Sequence, residues 1–154
     1  MTKKIVLGVL CILMLIFIFG NSILPPDLSG KISSAVGEIL ASFLGTGNAT
    51  QTVGGMSVRK VGHLVEFSAL GVAVSLLLYE MVKGAYIRCS TVTLAGLLVP
   101  VVDETLQLFS GRGSALTDVW IDVCGYAFGV GVACIALFFA KQLKRRVKNN
   151  NKKR

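Results

Sequence analysis

The sequence predicts an all-α integral membrane protein, a bundle of four transmembrane helices with a short amphipathic helix in the first outer loop. Hydrophobic residues make up 53% of the 154 residues and charged residues only 16%, a balance unlike that of a soluble domain. Four apolar stretches each approach the ~20 residues that a membrane-crossing helix needs. Positive charge collects before the first stretch, between the second and third, and after the fourth, as in multi-pass proteins.

The four predicted spans lie at about residues 5–24, 59–80, 91–109 and 116–140, within a single domain of residues 1–140. Helices are expected because a lone segment in lipid must satisfy its own backbone hydrogen bonds, and the alternating pattern of a barrel strand is absent. The first apolar stretch also suits a cleaved signal peptide, since Lys3 and Lys4 precede it and small residues follow it. Both interpretations leave the other three spans unchanged.

Basic residues orient the chain. Lys3 and Lys4 precede the first span, Lys83 and Arg88 separate the second from the third, and the tail, residues 141–154, carries eight basic residues and no acidic one. The positive-inside rule predicts that all three lie in the cytoplasm, so that both termini are cytoplasmic in a multi-pass protein of the cell membrane. The tail lacks the aromatic residues of a base-stacking surface, which argues against nucleic-acid binding.

The first outer loop contains apolar residues at helical spacing: Ile32, Val36, Ile39, Leu40 and Phe43. This spacing predicts a short amphipathic helix that lies on the outer leaflet or caps the bundle. The glycine-rich residues 45–57 after it predict a mobile linker. The four cysteines show no metal-ligand spacing and indicate no disulfide framework.

Ionisable and polar residues gather near one end of the last three predicted spans. They are Arg59, Lys60, His63 and Glu66 in the second, Asp103, Glu104 and Gln107 in the third, Asp118 and Asp122 in the fourth, and Arg112 in the loop between the last two. Charges inside a membrane cost at least ~2.5 kcal/mol each, so those that remain usually face other helices and usually serve function. Helical spacing places the polar residues of each span on one face of its helix. At a rise of ~1.5 Å per residue, all of them are expected within ~10 Å of the outer boundary of the membrane. The sequence therefore predicts one ligand-binding pocket that opens to the outer face.

The predicted pocket contains three basic and five acidic residues, an excess of two negative charges. Some carboxylates must be protonated, paired or hydrated, because isolated buried charges are too costly. No cofactor is certain, but a divalent cation or an ammonium group would satisfy this excess. The candidate metal ligands are Asp103, Glu104 and Asp122, and the candidate general bases are His63 and Glu66.

The same side chains also have a structural interpretation, as interhelical hydrogen-bonding groups worth ~1 kcal/mol each. His63 suits a structural hydrogen bond as well as a catalytic or ligand role. The number of carboxylates is more than such packing requires. On the face of the fourth span that carries Asp118 and Asp122, Gly125 and Gly129 form a small-xxx-small pattern. This pattern predicts close helix packing, which Gly125→Leu should disturb with loss of stability and function.

Several of these residues together resemble the motif set of VanZ-like proteins: the run from Arg59 to Gly71, the run Asp103-Glu104-Thr105-Leu106-Gln107, Gly111-Arg112, and Asp118 through Asp122 and Gly125. The resemblance covers roughly residues 59–131, and the serine- and proline-containing exit from the first span, residues 21–34, is similar more loosely. It implies a small bacterial membrane protein whose founding member confers low-level resistance to the lipoglycopeptide teicoplanin, and it implies no catalytic assignment. Phe67 stands where a tyrosine is common, and Leu106 where the family often has a histidine. A mechanism that needs a second histidine is therefore in doubt for this chain.

Three functions fit these features. In the first, the pocket binds a polar or phosphate-bearing headgroup of a lipid-linked cell-wall precursor or of a lipoglycopeptide, and a stronger version adds translocation of that headgroup. Arg59, Lys60 and Arg112 would contact its phosphate. In the second, the chain is a metal-assisted hydrolase or transferase acting on a lipid-linked substrate, although no nucleophile elbow, HExxH motif or phosphate loop supports it. In the third, it is a structural or partner-binding subunit whose tail recruits a cytoplasmic protein.

Overall fold

Four long helices make up most of the protein. The computed structural model describes residues 2–25, 27–28, 31, 34–35, 38, 52–53, 56–111 and 115–152. In chain order the elements are α1 (Thr2–Ile23), the short strands β1 (Thr52–Val53) and β2 (Met56–Ser57), α2 (Val58–Met81), α3 (Ala85–Phe109) and α4 (Leu116–Lys152). The predicted all-α class with four long apolar helices is confirmed. The apolar residues of the predicted amphipathic helix, Ile32, Val36, Ile39, Leu40 and Phe43, lie outside the described residues.

All four helices are long and apolar enough to cross a membrane. Even the shortest, α1 with 22 residues, reaches about 33 Å at ~1.5 Å per residue, against ~30 Å for a hydrocarbon core. The helix α3 starts at Ala85, before the apolar stretch that predicted it, because polar residues interrupt hydropathy without interrupting a helix. The helix α4 continues through the basic tail to Lys152, where lysine, arginine and leucine are good helix formers and neither glycine nor proline intervenes.

A short hairpin lies just before α2, in the segment that the sequence predicted to be a linker. The strands β1 and β2 pair antiparallel, with Thr52 opposite Ser57. The two residues between the strands in sequence, 54–55, are both glycine, a pair favoured in two-residue hairpin loops. Ser57 then caps α2, because its side chain accepts a hydrogen bond from the Lys60 backbone N–H at 3.4 Å. The chain therefore enters α2 at a defined residue.

The helices pack around a small apolar core. Its buried members are Ile18 from α1, Phe67 and Leu70 from α2, and Tyr126 from α4. Many apolar side chains elsewhere on the four helices are exposed, as expected of surfaces that face lipid. Because Ile18 is 1% exposed, α1 is an integral part of this core.

The most extensive helix contact joins α2 and α4, and glycines allow it. A Cβ atom added to Gly125 would lie 2.6 Å from the Leu64 carbonyl oxygen, and one added to Gly129 would overlap the Ser68 carbonyl group. The Ser68 hydroxyl lies within hydrogen-bonding distance of two carbonyl oxygens, 2.6 Å from that of Leu64 and 2.9 Å from that of Gly125 across the interface. Such a close approach of two backbones requires residues without side chains.

A proline and a glycine shape the contact of α3 with α4. Pro100 lies inside α3, where its missing N–H leaves the Gly96 carbonyl oxygen without its usual helical donor. Gly96 is buried against the Tyr126 ring, and a Cβ atom there would lie 2.5 Å from Cδ1 of that ring. The Tyr126 side chain therefore fills the space in front of Gly96 and holds α3 against α4.

Two leucine substitutions on the same helix test the glycine contact. Gly125→Leu should lower the free energy of unfolding by about 1–3 kcal/mol or more, because the added atoms overfill a closed interface. Gly131→Leu is the matched control, since a Cβ atom there meets nothing within 4 Å, and it should have little effect. Thermal unfolding of both purified variants in one detergent measures the difference. Equal stability of the two variants would contradict the packing described.

Candidate functional site

Polar contacts join the ends of all four helices at one end of the bundle, here called the site end: the last turns of α1 and α3 and the first turns of α2 and α4. The Ser110 hydroxyl, next to the end of α3, donates to the Ser22 carbonyl oxygen at 3.0 Å. Lys60 of α2 and Asp118 of α4 form an ion pair with 2.8 Å between Nζ and Oδ1. The sequence predicted that the polar residues of the last three spans lie at one level. In the structure the corresponding ends of α2, α3 and α4 meet, and the end of α1 joins them.

Asp103 is the most connected carboxylate of the site end. It is 0% exposed, and both of its oxygens accept hydrogen bonds: Oδ1 from the Ser22 hydroxyl at 2.5 Å and Oδ2 from Gln107 Nε2 at 2.9 Å. The side-chain amide oxygen of Gln107, Oε1, in turn accepts a hydrogen bond from the Arg59 guanidinium. This chain of bonds connects α1, α3 and α2, and it holds the Asp103 carboxylate in one orientation.

His63 lies between two carboxylates from different helices. Its Nδ1 is 3.7 Å from Oδ2 of Asp103 and 3.7 Å from Oδ1 of Asp122, distances beyond a hydrogen bond but within the range of an ion pair or a shared ligand. The Phe67 ring stacks near the imidazole, with 6.4 Å between ring centroids. His63 and Asp122 are only 7% and 2% exposed, so this contact is shielded from solvent and lipid.

Glu104 and Asp118 act nearer the start of α4. One Glu104 oxygen accepts a hydrogen bond from the Ala115 backbone N–H at 2.9 Å, which ties the end of α3 to the start of α4. Asp118 lies in the first turn of α4, where a negative charge suits the helix dipole. Its ion pair with Lys60 is partly exposed, at 25% and 40% of the two side chains, so it adds little stability.

A narrow cleft opens among these side chains. Its lining includes Ser57 and Ile121 together with most of the predicted pocket residues, namely Arg59, Lys60, His63, Glu104, Gln107, Asp118 and Asp122. The cleft has a volume of about 90 Å³, whereas pockets for drug-sized ligands take up roughly 300–1,000 Å³. The cleft therefore suits a single small polar group, such as an ion or one part of a headgroup, rather than a whole ligand.

The described lining of the cleft does not include every predicted residue. Glu66 is half-buried on α2 and is not among the described residues that line the cleft, and Arg112 lies outside the described residues. Of the three candidate metal ligands, Asp103 and Asp122 lie close together, while Glu104 turns toward Ala115. The third member of the close group is His63. One ligand atom from His63 and one from each aspartate all lie within 4.8 Å of one another.

Sequence reasoning missed the part that serines play. Ser22 is 0% exposed and contacts both Asp103 and Ser110, but sequence reasoning placed it only among the small residues after the first apolar stretch and within the loosely similar residues 21–34, with no role of its own. The signal that could have found it is its depth: Ser22 ends the first span at the level where the polar stripes of the other spans lie. Ser57 and Ser110, which flank α2 and α3, lie at the same level.

Replacing Ser22 by alanine tests the central hydrogen bond. Ser22→Ala should lower the free energy of unfolding by about 1–3 kcal/mol, because it leaves a buried carboxylate oxygen without its donor. Ser75→Ala is the matched control, since the Ser75 hydroxyl is also buried but bonds none of the described residues. Thermal unfolding in detergent compares the two. An equal loss of stability in both variants would show that the Ser22–Asp103 hydrogen bond contributes no stability beyond that of any buried hydroxyl.

Comparison with known proteins adds one finding to this geometry. No curated protein and no solved structure matches the chain. The profile of the VanZ/LLP1 family matches residues 7–139, which include α2, α3, the greater part of α1 and α4, and every residue of the cleft. This membrane protein therefore belongs to the VanZ/LLP1 family.

Proposed function

We propose that the cleft binds a polar, phosphate-bearing headgroup of a membrane-anchored ligand. The observation that carries the proposal is the position of the cleft: a charged opening at the end of four apolar helices. A ligand whose acyl chains stay in the bilayer presents its headgroup at that depth. A soluble ligand would have no need of such a position.

The cations of the cleft suit a phosphate group. The Arg59 guanidinium donates to Gln107, and its other N–H groups bond no residue that the structure describes, so they can meet an incoming anion. Lys60 is 40% exposed and pairs with Asp118. A phosphate oxygen would share this ammonium group with the Asp118 carboxylate.

The small volume of the cleft limits the proposal. About 90 Å³ accommodates one phosphate-sized or hydroxyl-bearing part of a headgroup, and the remainder of the ligand must lie outside it. Carboxylates below the cations, Glu104 and Asp122, would accept hydrogen bonds from sugar hydroxyls or from an amine. The predicted contact of Arg112 with phosphate belongs to this proposal too.

The site end is proposed to face the outside of the cell. The α1 helix begins beside Lys3 and Lys4, and α4 ends in the basic tail, both at the opposite end of the bundle from the cleft. Lys83, between α2 and α3, and Arg88, in the first turn of α3, also lie there. The positive-inside rule then assigns that end to the cytoplasm.

The ligand is proposed to come from the cell envelope. A lipid-linked cell-wall precursor and a lipoglycopeptide both combine an apolar anchor with a polar headgroup, which is the chemistry that the cleft and its position require. The motif resemblance to VanZ-like proteins supports a link to low-level teicoplanin resistance. Translocation of the headgroup would be a further step that uses the same site.

A metal-assisted hydrolase or transferase is the alternative that a specific observation favours. His63, Asp103 and Asp122 are close enough to hold one ion, and a bound ion could polarise a phosphoryl group. Turnover of a lipid-linked phosphate, lost on chelation, would favour this alternative over binding alone. The third interpretation, a subunit whose tail recruits a partner, predicts that loss of residues 144–154 abolishes function.

Cysteine labelling tests the orientation. Ser57 is exposed at the site end and Cys89 is exposed near the other end of the bundle. In single-cysteine proteins, Ser57→Cys should react with a membrane-impermeant maleimide added to intact cells, whereas the protein that keeps only Cys89 should react after permeabilisation. The reverse pattern would place the cleft in the cytoplasm and would remove the proposal of an envelope ligand.

Retention of lipid tests the binding itself. Native mass spectrometry of the purified chain should show a bound phosphate-bearing lipid, or teicoplanin when this is added to delipidated protein. Arg59→Ala and Arg112→Ala should each lower the bound fraction by about tenfold or more, since a hydrogen bond to a charged group is worth about 1.5–3 kcal/mol.

The control for this experiment is Arg88→Ala. Arg88 lies at the opposite end of the bundle, 5.4 Å from the centre of the Tyr79 ring, and its loss should leave retention unchanged. If Arg88→Ala and Arg59→Ala reduce the bound lipid equally, the lipid is annular and the cleft does not bind it.

A further inference from the structure

Three helices each contribute one buried metal-ligating side chain to a close group, of which His63 and Asp122 line the cleft. These side chains are His63 from α2, Asp103 from α3 and Asp122 from α4. All three are less than a tenth exposed, and one ligand atom of each lies within 4.8 Å of the others. No single helix could supply this group, so it exists only in the folded bundle.

Asp122 is the member that points to a missing ligand. The Asp122 side chain is 2% exposed and lines the cleft, yet its Oδ2 accepts no hydrogen bond from any residue that the structure describes. The same holds for Oε2 of Glu104, which is 5% exposed and lines the same cleft. Buried carboxylate oxygens without donors are costly, and a cation bound by Asp122 would offset that cost for its carboxylate.

Asp103 has the support that metal-ligating carboxylates usually receive. Hydrogen bonds from Ser22 and Gln107 fix the direction of both of its oxygens. In metal sites, such outer partners orient the ligand and raise its affinity. Asp103 is therefore oriented before any ion arrives, and Ser22 and Gln107 are its positioning residues.

The spacing of His63 from each aspartate fits a transition-metal ion after a small contraction, and the two aspartate atoms, which lie within 4.8 Å of each other, would have to close by up to about 1.4 Å. Two ligands at ~2.1 Å from a tetrahedral ion lie roughly 3.4 Å apart, compared with 3.7 Å from His63 Nδ1 to each aspartate oxygen. One imidazole and two carboxylates suit Zn²⁺ or Mn²⁺, whereas Ca²⁺ and Mg²⁺ prefer oxygen ligands alone.

From these observations we propose that His63, Asp103 and Asp122 form a binding site for one divalent transition-metal ion of the Zn²⁺ or Mn²⁺ type, beside the cleft. This inference goes beyond the headgroup proposal and does not depend on it. Where both hold, the ion would add positive charge to a cleft that already contains Arg59 and Lys60.

Metal binding to the full-length chain tests the site directly. The protein is purified in detergent with a tag that lacks histidine, after replacement of its four cysteines, because three of them are exposed thiols that would bind Zn²⁺ elsewhere. After removal of bound ions with a chelator, it is titrated separately with Zn²⁺ and Mn²⁺. Elemental analysis should show one tightly held ion per chain, and binding should raise the unfolding temperature.

Substitutions then assign the ligands. Asp122→Asn and His63→Gln should each weaken binding by more than 100-fold, and Ser22→Ala, which acts through Asp103, by about 10–100-fold. Substitution with Co²⁺ gives a second readout, since His63→Gln should change its visible absorption. Glu80→Gln is the control, because Glu80 is an exposed carboxylate near the end of α2 away from the cleft, and it should bind as the unsubstituted chain does.

Two results would overturn the proposal: failure of the chain with native His63, Asp103 and Asp122 to hold either ion in stoichiometric amount, or undiminished binding by Asp122→Asn. The first needs no substitution of the three proposed ligands, so it does not depend on whether the ligand variants fold. Lipid retention in the presence of a chelator separates this outcome from that of the headgroup proposal. Retained lipid without metal binding would remove the metal site alone, and metal binding without lipid retention would remove the headgroup proposal alone.

Discussion

The burial of carboxylates inside an apolar bundle is the constraint on which the rest of the structure depends. Lipid offers no hydrogen-bond donors, so each buried oxygen must find its partners within the protein. Asp103 does so by bonding Ser22 of α1 and Gln107 of its own helix, and Gln107 bonds Arg59 of α2. These bonds determine which helix ends meet. Their main effect is on the register of the helices, because polar contacts between membrane helices contribute only about 1 kcal/mol each.

A second constraint sets the width of the site. Leu64, whose carbonyl group packs against Gly125, follows His63 directly in α2, and Gly125 lies about one turn beyond Asp122 in α4. The distance of 3.7 Å between His63 and Asp122 therefore depends on an interface only one turn away. The packing of α2 against α4 and the geometry of the site end are therefore coupled. A shift of either helix would change both the interface and the distances between the polar side chains.

The sequence was sufficient to predict the helices and the level of the polar residues, because hydropathy and helical spacing are local properties. It could not assign partners across helices. Asp103 and Glu104 are neighbours in sequence and point about 100° apart around α3, and only the rotation of that helix decides that Asp103 meets His63 while Glu104 meets Ala115. Ser22 was missed for the same reason, since a serine at a helix end has no distinctive pattern until the register of α1 with α3 is known.

The unbroken length of α4 has a geometric consequence. The helix runs from the cleft to the basic tail without a proline, and between them Gly129 contacts Ser68 of α2. From Gly129 the helix extends about 35 Å toward Lys152 but only about 16 Å toward Asp118. One continuous rod therefore joins the cleft to the basic tail, and its contact with Ser68 lies nearer the cleft than the tail.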